Sequence, residues 1–174
     1  MKLHWLSTAL LLAATSTVAH AQWRAQAQQA VAAPQSTNST LAALTVGCGD
    51  PFRIALHTAD GAPVLPQAGG AADYLYRPGK IIASVDDHDW PLVAAASDIA
   101  MVLFSEGTVA ENHLAPLDRQ LIDALRQGRR LVLYFDITDA NAADGSPFET
   151  FAAFSLDGAQ DTLAVERKGG EGLE

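Results

Sequence analysis

Short runs of alternating apolar and polar residues fill most of the chain, and the period lengthens to that of a helix in a segment near residue 120. Phe52-Arg53-Ile54-Ala55-Leu56 alternates with period two and closes at Asp60-Gly61, which predicts a strand and a turn. Tyr74 to Tyr76 reads as extended and stops at Pro78-Gly79. Lys80 to Val85, Trp90 to Ala94 and the near-continuous apolar run Ile99 to Phe104 predict further strands. Turn residues part these runs at spacings too short for the crossovers of a parallel sheet, so antiparallel pairing is expected.

Leu114, Leu117, Leu121, Ile122 and Leu125 recur at helical intervals. Pro116 suits a first turn, Asp118 the positive end, Arg126 the last turn and Gly128 the stop. Next, Leu131 to Thr138 predicts the strongest strand, with Leu131, Leu133, Phe135 and Ile137 on one face. The polar stretch Asp139 to Gly145 and the apolar return Phe148 to Leu156 make the pair a hairpin. Gly158 to Arg167 predicts a short terminal helix laying Ala159 and Leu163 on the sheet. The class expected is α+β, mainly β: an antiparallel sheet or β-sandwich with one packed helix and a short C-terminal helix.

The N-terminal end departs from this pattern. Lys2 precedes an apolar stretch from Leu6 to Ala19 that is too short to span a bilayer, and Ala19-His20-Ala21 offers small residues around a cleavage point. Residues 1–21 therefore read as a secretory signal peptide. Residues 22–45, rich in Gln, Ala, Ser, Thr and Asn around Pro34, read as a flexible polar linker. Asn38-Ser39-Thr40 matches a glycosylation acceptor but belongs with that polar stretch. A single β-rich domain is expected over 46–168 and a disordered tail over 169–174, where Gly169-Gly170-Glu171-Gly172 has nothing to dock.

Composition narrows the function. At 174 residues, 49% hydrophobic and 18% charged, the chain carries enough apolar surface for a core, unlike a charge-swollen disordered chain. The formal net charge of -9 has the wrong sign for a nucleic-acid backbone or an anionic membrane surface, and losing Lys2 with the leader makes it more negative. No second long apolar run follows the leader, so no membrane insertion is expected after cleavage, and the chain belongs in the periplasm or outside the cell. The lone Cys48 excludes an intrachain disulfide and reads as a small apolar strand residue.

Leu121 to Gly128, Arg130 to Phe135 and Phe154-Ser155-Leu156-Asp157-Gly158-Ala159 follow the order helix, Gly, strand, strand, S-L-x-G. In this the C-terminal third resembles periplasmic proteins of the invasion-associated locus B type. The chain lacks paired cysteines in its N-terminal half, unlike that family. The resemblance implies a small β-rich envelope protein with a binding or accessory role.

Candidate chemistry is sparse. Asp86-Asp87-His88-Asp89 crowds carboxylates and an imidazole, but neighbours on a strand face opposite ways, so the segment reads as a solvated hairpin tip and no metal is expected. In a solvated tip, replacing Asp86, Asp87 and Asp89 with Asn leaves stability almost unchanged. Counted as a calcium loop from Asp139, Ala143 and Thr150 fall where acids are needed, and a turn through Asn141, Asp144 and Gly145 explains the same residues. Ser155 lacks the flanking glycines of a nucleophile turn, and no spacing selects a partner for it or for Cys48 among His57, His88 and His113. No phosphate loop or zinc spacing occurs, so no cofactor is expected. Trp23, Trp90, Tyr74, Tyr76 and Tyr134 form the aromatic reserve for a recognition surface.

The function expected first is a non-enzymatic envelope or accessory binding protein. Second comes an inhibitor or immunity-type protein that docks a basic protein partner on Asp86, Asp87, Asp89 and Trp90. A hydrolase whose site converges only in three dimensions comes third.

Overall fold

The computed structural model describes residues 23–26, 29–47, 51–59, 79–96, 100–108, 113–137 and 140–164. The leader, Cys48, Tyr74, Tyr76, Asp139 and the terminal tail lie outside the described residues.

The strands of the main sheet are β1 (Arg24–Gln26), β2 (Gln29–Ala32), β3 (Ser36–Thr37), β4 (Leu41–Gly47), β5 (Arg53–Thr58), β6 (Ile81–Val85), β7 (His88–Ala96) and β8 (Met101–Phe104), with β11 (Arg130–Phe135) and β12 (Thr150–Ser155). They run β1-β2-β4-β5-β8-β7-β6-β11-β12-β3, each antiparallel to its neighbours. β9 (Glu106–Thr108) and β10 (His113–Ala115) form a separate hairpin. The mainly β, antiparallel class read from the sequence is the one observed. Among the described residues no helix is long and apolar enough to cross a membrane.

β7 bends the sheet. Its first half, His88 to Leu92, pairs with β6, and its second half, Val93 to Ala96, pairs with β8. Pro91, which has no N–H to give, lies where β7 has one ladder partner instead of two. The two ends of the strand order are then drawn together. β3, which lies between β2 and β4 in the chain, pairs with β12 at the far end, and the Gln35 amide donates to the Ala153 carbonyl at 2.7 Å. Trp23, just ahead of β1, donates its indole N–H to the Ser155 carbonyl of β12 at 2.8 Å. The rolled sheet encloses one core, with Leu44, Val46, Ile54 and Leu56 from one half and Leu131, Leu133 and Phe154 from the other.

This closure corrects the linker expected over 22–45, because four strands lie there and Trp23, Ala30, Ala32, Leu41 and Leu44 are buried. Alanines that look too small to dock a linker fit where strands approach closely, and the ladder satisfies the polar backbone around them. Among the described residues the folded unit therefore begins at Trp23 and not at residue 46.

α1 (Arg119–Gln127) is shorter than the leucine spacing predicts. Asp118 caps it by accepting from the Gln120 amide at 2.8 Å, so Pro116 precedes the helix and Leu114 belongs to β10. Leu121 and Leu125 are buried, and the Gly128 amide closes the last turn on the Ala124 carbonyl at 2.7 Å. α2 (Ala159–Ala164) buries Ala159 and Leu163 as expected. β11 ends earlier than its apolar run. Asp136 is buried and meets Lys80 through an ion pair and a backbone bond, while Ile137 beyond it is 37% exposed.

Candidate functional site

The acidic hairpin joins β6 to β7 through a two-residue turn, with Val85 opposite His88. Asp86 and Asp87 both have positive φ, 47° and 68°, the pair that a tight turn matching the strand twist requires and that Asp tolerates better than most residues. Asp86 is not merely solvated. Its carboxylate accepts the Arg129 amide at 2.9 Å and the Arg130 amide at 3.0 Å, while its own amide donates to the Arg130 carbonyl at 3.2 Å. Although exposed like its neighbours, Asp86 therefore also pins the hairpin tip to the chain between α1 and β11. Asp87 and Asp89 are exposed.

Asp86→Ala is expected to cost about 2 kcal/mol, since two amides lose a charged acceptor at an exposed site, whereas Asp87→Ala stays within about 0.5 kcal/mol of it only if the pin is absent. Both variants place Ala at positive φ, so the backbone strain largely cancels in the comparison. Equal urea midpoints for the two would show that the pin contributes nothing.

His88 and Trp90 stack edge to face with centroids 4.4 Å apart, and Trp90 packs half-buried against the core. Trp90 is thus turned toward the interior face while Asp89 lies on the outer one, so the docking group expected at 86–90 does not converge. Among the described residues, no three His, Cys, Asp or Glu side chains are placed to share a metal ion. Arg129 and Arg130, whose backbone amides hold Asp86, are exposed.

The candidates for nucleophilic chemistry sit apart on the fold. Ser155 is buried, with its hydroxyl accepting the Asp157 amide at 3.1 Å and its carbonyl the Trp23 indole at 2.8 Å. His57 lies on β5 with Nε2 3.1 Å from the Thr45 hydroxyl, His88 at the hairpin tip and His113 on β10. The stretch expected to be a turn around Asn141 closes on itself: Gly145 has φ 83°, Asp144 accepts the Ser146 amide at 2.9 Å, and Asn141 donates to the Gly145 carbonyl at 3.2 Å.

What the rolled sheet does bring together is an apolar row on its outer face. Ile81, Ala83 and Val85 point into the core, as do Leu131, Leu133 and Phe135, so Ile82 and Tyr134 point out. Pro91 pairs with Ile82, Ile82 with Tyr134, and Tyr134 with Phe151, which sets these four side by side across β7, β6, β11 and β12. Tyr134 is 36% exposed, Pro91 is exposed and Ile82 and Phe151 are half-buried. Phe148 extends the row, its ring centroid 6.0 Å from that of Tyr134. Asp89 stands one row further along the same face, opposite Ser84.

Sequence reasoning picked out Tyr134 and Asp89 but missed Ile82, Pro91 and Phe151. Their alternation marks them as outward-facing, but their alignment comes from register between strands distant in the chain. Comparison with protein-family models, with curated proteins and with solved structures found no match.

Proposed function

We propose that this is a periplasmic or secreted non-enzymatic accessory protein that binds another protein through the outer row Pro91–Ile82–Tyr134–Phe151. The observation that carries the proposal is this row, an apolar band on the sheet's outer face, centred on a tyrosine with more than a third of its surface open. Tyrosine and proline supply contact area with little side-chain entropy to lose, and a polar margin such as Asp89 and Arg130 is the usual rim of such a patch. The net charge of -9 steers a partner of positive charge toward the molecule, while the contact itself is apolar. The leader pattern in residues 1–21 supports the location, and the resemblance of Ser155 to Gly158 to the S-L-x-G ending of the locus B type supports the accessory role.

The inhibitor or immunity reading differs in placing the affinity on acidic side chains. One feature speaks against it: the Asp86 carboxylate is occupied by two backbone amides.

A photo-crosslinking residue in place of Tyr134, expressed in cells that export the protein, should trap one predominant adduct. The same residue in place of Gln160 on α2 should not, and Asp89→Lys should slow formation of the adduct and flatten its salt dependence. Equal labelling from both positions would remove the outer row as the contact.

A further inference from the structure

We infer a second, separate site: a pocket at the mouth of the rolled sheet that takes a neutral, mainly hydrocarbon small molecule with one polar end. It has a volume of about 400 Å³ and lies where β4 begins and β11 ends. That falls in the range of small-ligand cavities, and the mouth of a rolled sheet is a recurrent place for them. At roughly 30 Å³ per small group, it would hold on the order of a dozen non-hydrogen atoms.

Its walls divide by chemistry. Leu41, Phe135 and Ile137 supply the apolar side, and Leu41 and Phe135 belong to the core itself. The polar lining is the crossing segment Asn38-Ser39-Thr40 with Thr150 from β12, which offers amide and hydroxyl groups. Among the described residues no ionisable side chain lines the pocket, so a charged ligand would lose its hydration there without gaining a counter-charge from them. An aliphatic chain ending in a hydroxyl or amide matches both walls. Ile137, 37% exposed at the rim, is the apolar surface that such a ligand would cover.

The polar wall is held in place by the fold itself. Asn38 donates its side-chain amide to the Glu149 carbonyl at 3.0 Å and accepts the Phe151 amide at 2.8 Å, so it pairs with the start of β12 as a strand residue would. Thr37 donates to the Phe151 carbonyl at 2.7 Å and sits 2.7 Å from the Ser39 hydroxyl, which accepts the Leu41 amide at 3.3 Å. A pocket preformed in this way spares the ligand the cost of ordering its own site.

The test uses the full exported chain and N-phenyl-1-naphthylamine, a neutral probe that fluoresces in apolar surroundings. Saturable one-site binding is expected, displaced by 1-decanol and at least about tenfold less well by decanoate at neutral pH, a difference of about 1.4 kcal/mol. Ile137→Glu should weaken probe binding by about tenfold or more, and Tyr134→Ala on the outer face should leave it unchanged. Thr40→Trp, at an exposed position of the polar lining, should also weaken it and keeps the test decisive if Ile137→Glu does not fold. The proposal is overturned by an absence of saturable binding, by equal displacement with decanol and decanoate, or by loss of binding in Tyr134→Ala with Ile137→Glu unaffected.

Discussion

Trp23→Ala should remove about 3 to 5 kcal/mol of folding stability, a large share of the 5 to 15 kcal/mol that a domain of this size commands. The indole is 8% exposed and belongs to the same core cluster as Leu44 and Phe154. Truncating it leaves a cavity between the two ends of the strand order, where the sheet has no covalent reason to stay closed. The substitution also strips the Ser155 carbonyl of the indole N–H that reaches it across 132 positions of sequence. Trp23→Phe separates the two effects: it keeps most of the apolar contact, loses the hydrogen bond and should cost about 1 to 2 kcal/mol. Urea unfolding monitored by far-ultraviolet circular dichroism measures both. A loss below about 1 kcal/mol for Trp23→Ala would mean that the N-terminal strands do not close the roll, and residues 22–45 would revert to the linker their composition suggests.

Gly128→Ala should cost about 2 to 3 kcal/mol, even though Ala is ordinarily the better helix residue. Gly128 has φ -74°, a conformation open to any residue, so backbone preference does not explain the glycine. Space does. A Cβ there would stand 2.6 Å from Val85 Cγ1, 2.7 Å from the Ala124 carbonyl oxygen and 3.1 Å from Leu156 Cδ1. The Val85 methyl can be removed, but the Ala124 carbonyl is helix backbone and already accepts the Gly128 amide. Val85→Ala combined with Gly128→Ala should therefore relieve only part of the steric clash, a coupling that a double-mutant cycle in urea reads directly. A neutral Gly128→Ala would place α1 further from the hairpin tip than 2.6 Å allows.

The elements whose evidence is local were legible in the sequence. Alternation marked β5, short apolar runs between turn residues marked β6 and β8, the leucine period with Arg126 and Gly128 marked α1, and Ala159 and Leu163 lie where the helical spacing put them. Its start was misplaced because Leu114 and Leu117 continue the leucine period upstream, whereas the Asp118 side chain, by capping Gln120, decides where the helix begins. β1 to β4 were hidden for a different reason. Their apolar positions are largely alanine, and although β1, β2 and β4 pair with strands close in sequence, the closure depends on partners far along the chain: β12 for β3, and Ser155 for Trp23. The candidate site shows the same division. Asp89 and Tyr134 stand out by residue type, but the row that joins Pro91, Ile82, Tyr134 and Phe151 exists only through pairing between β7, β6, β11 and β12. The anchoring role of Asp86 was not legible because its two amide donors come from residues 43 and 44 positions away.

The lone cysteine makes a direct test of the docking face available. In a Cys48→Ser background, Tyr134→Cys and Gln160→Cys each supply one thiol at an exposed position of the folded chain. Both should react with a small maleimide at similar rates in the purified protein. In intact cells with a permeable outer envelope, the thiol at position 134 should be protected several-fold relative to the one at position 160, because a bound partner covers the outer row. Equal labelling at the two positions in the cell, matching the purified protein, would contradict a binding role for this face.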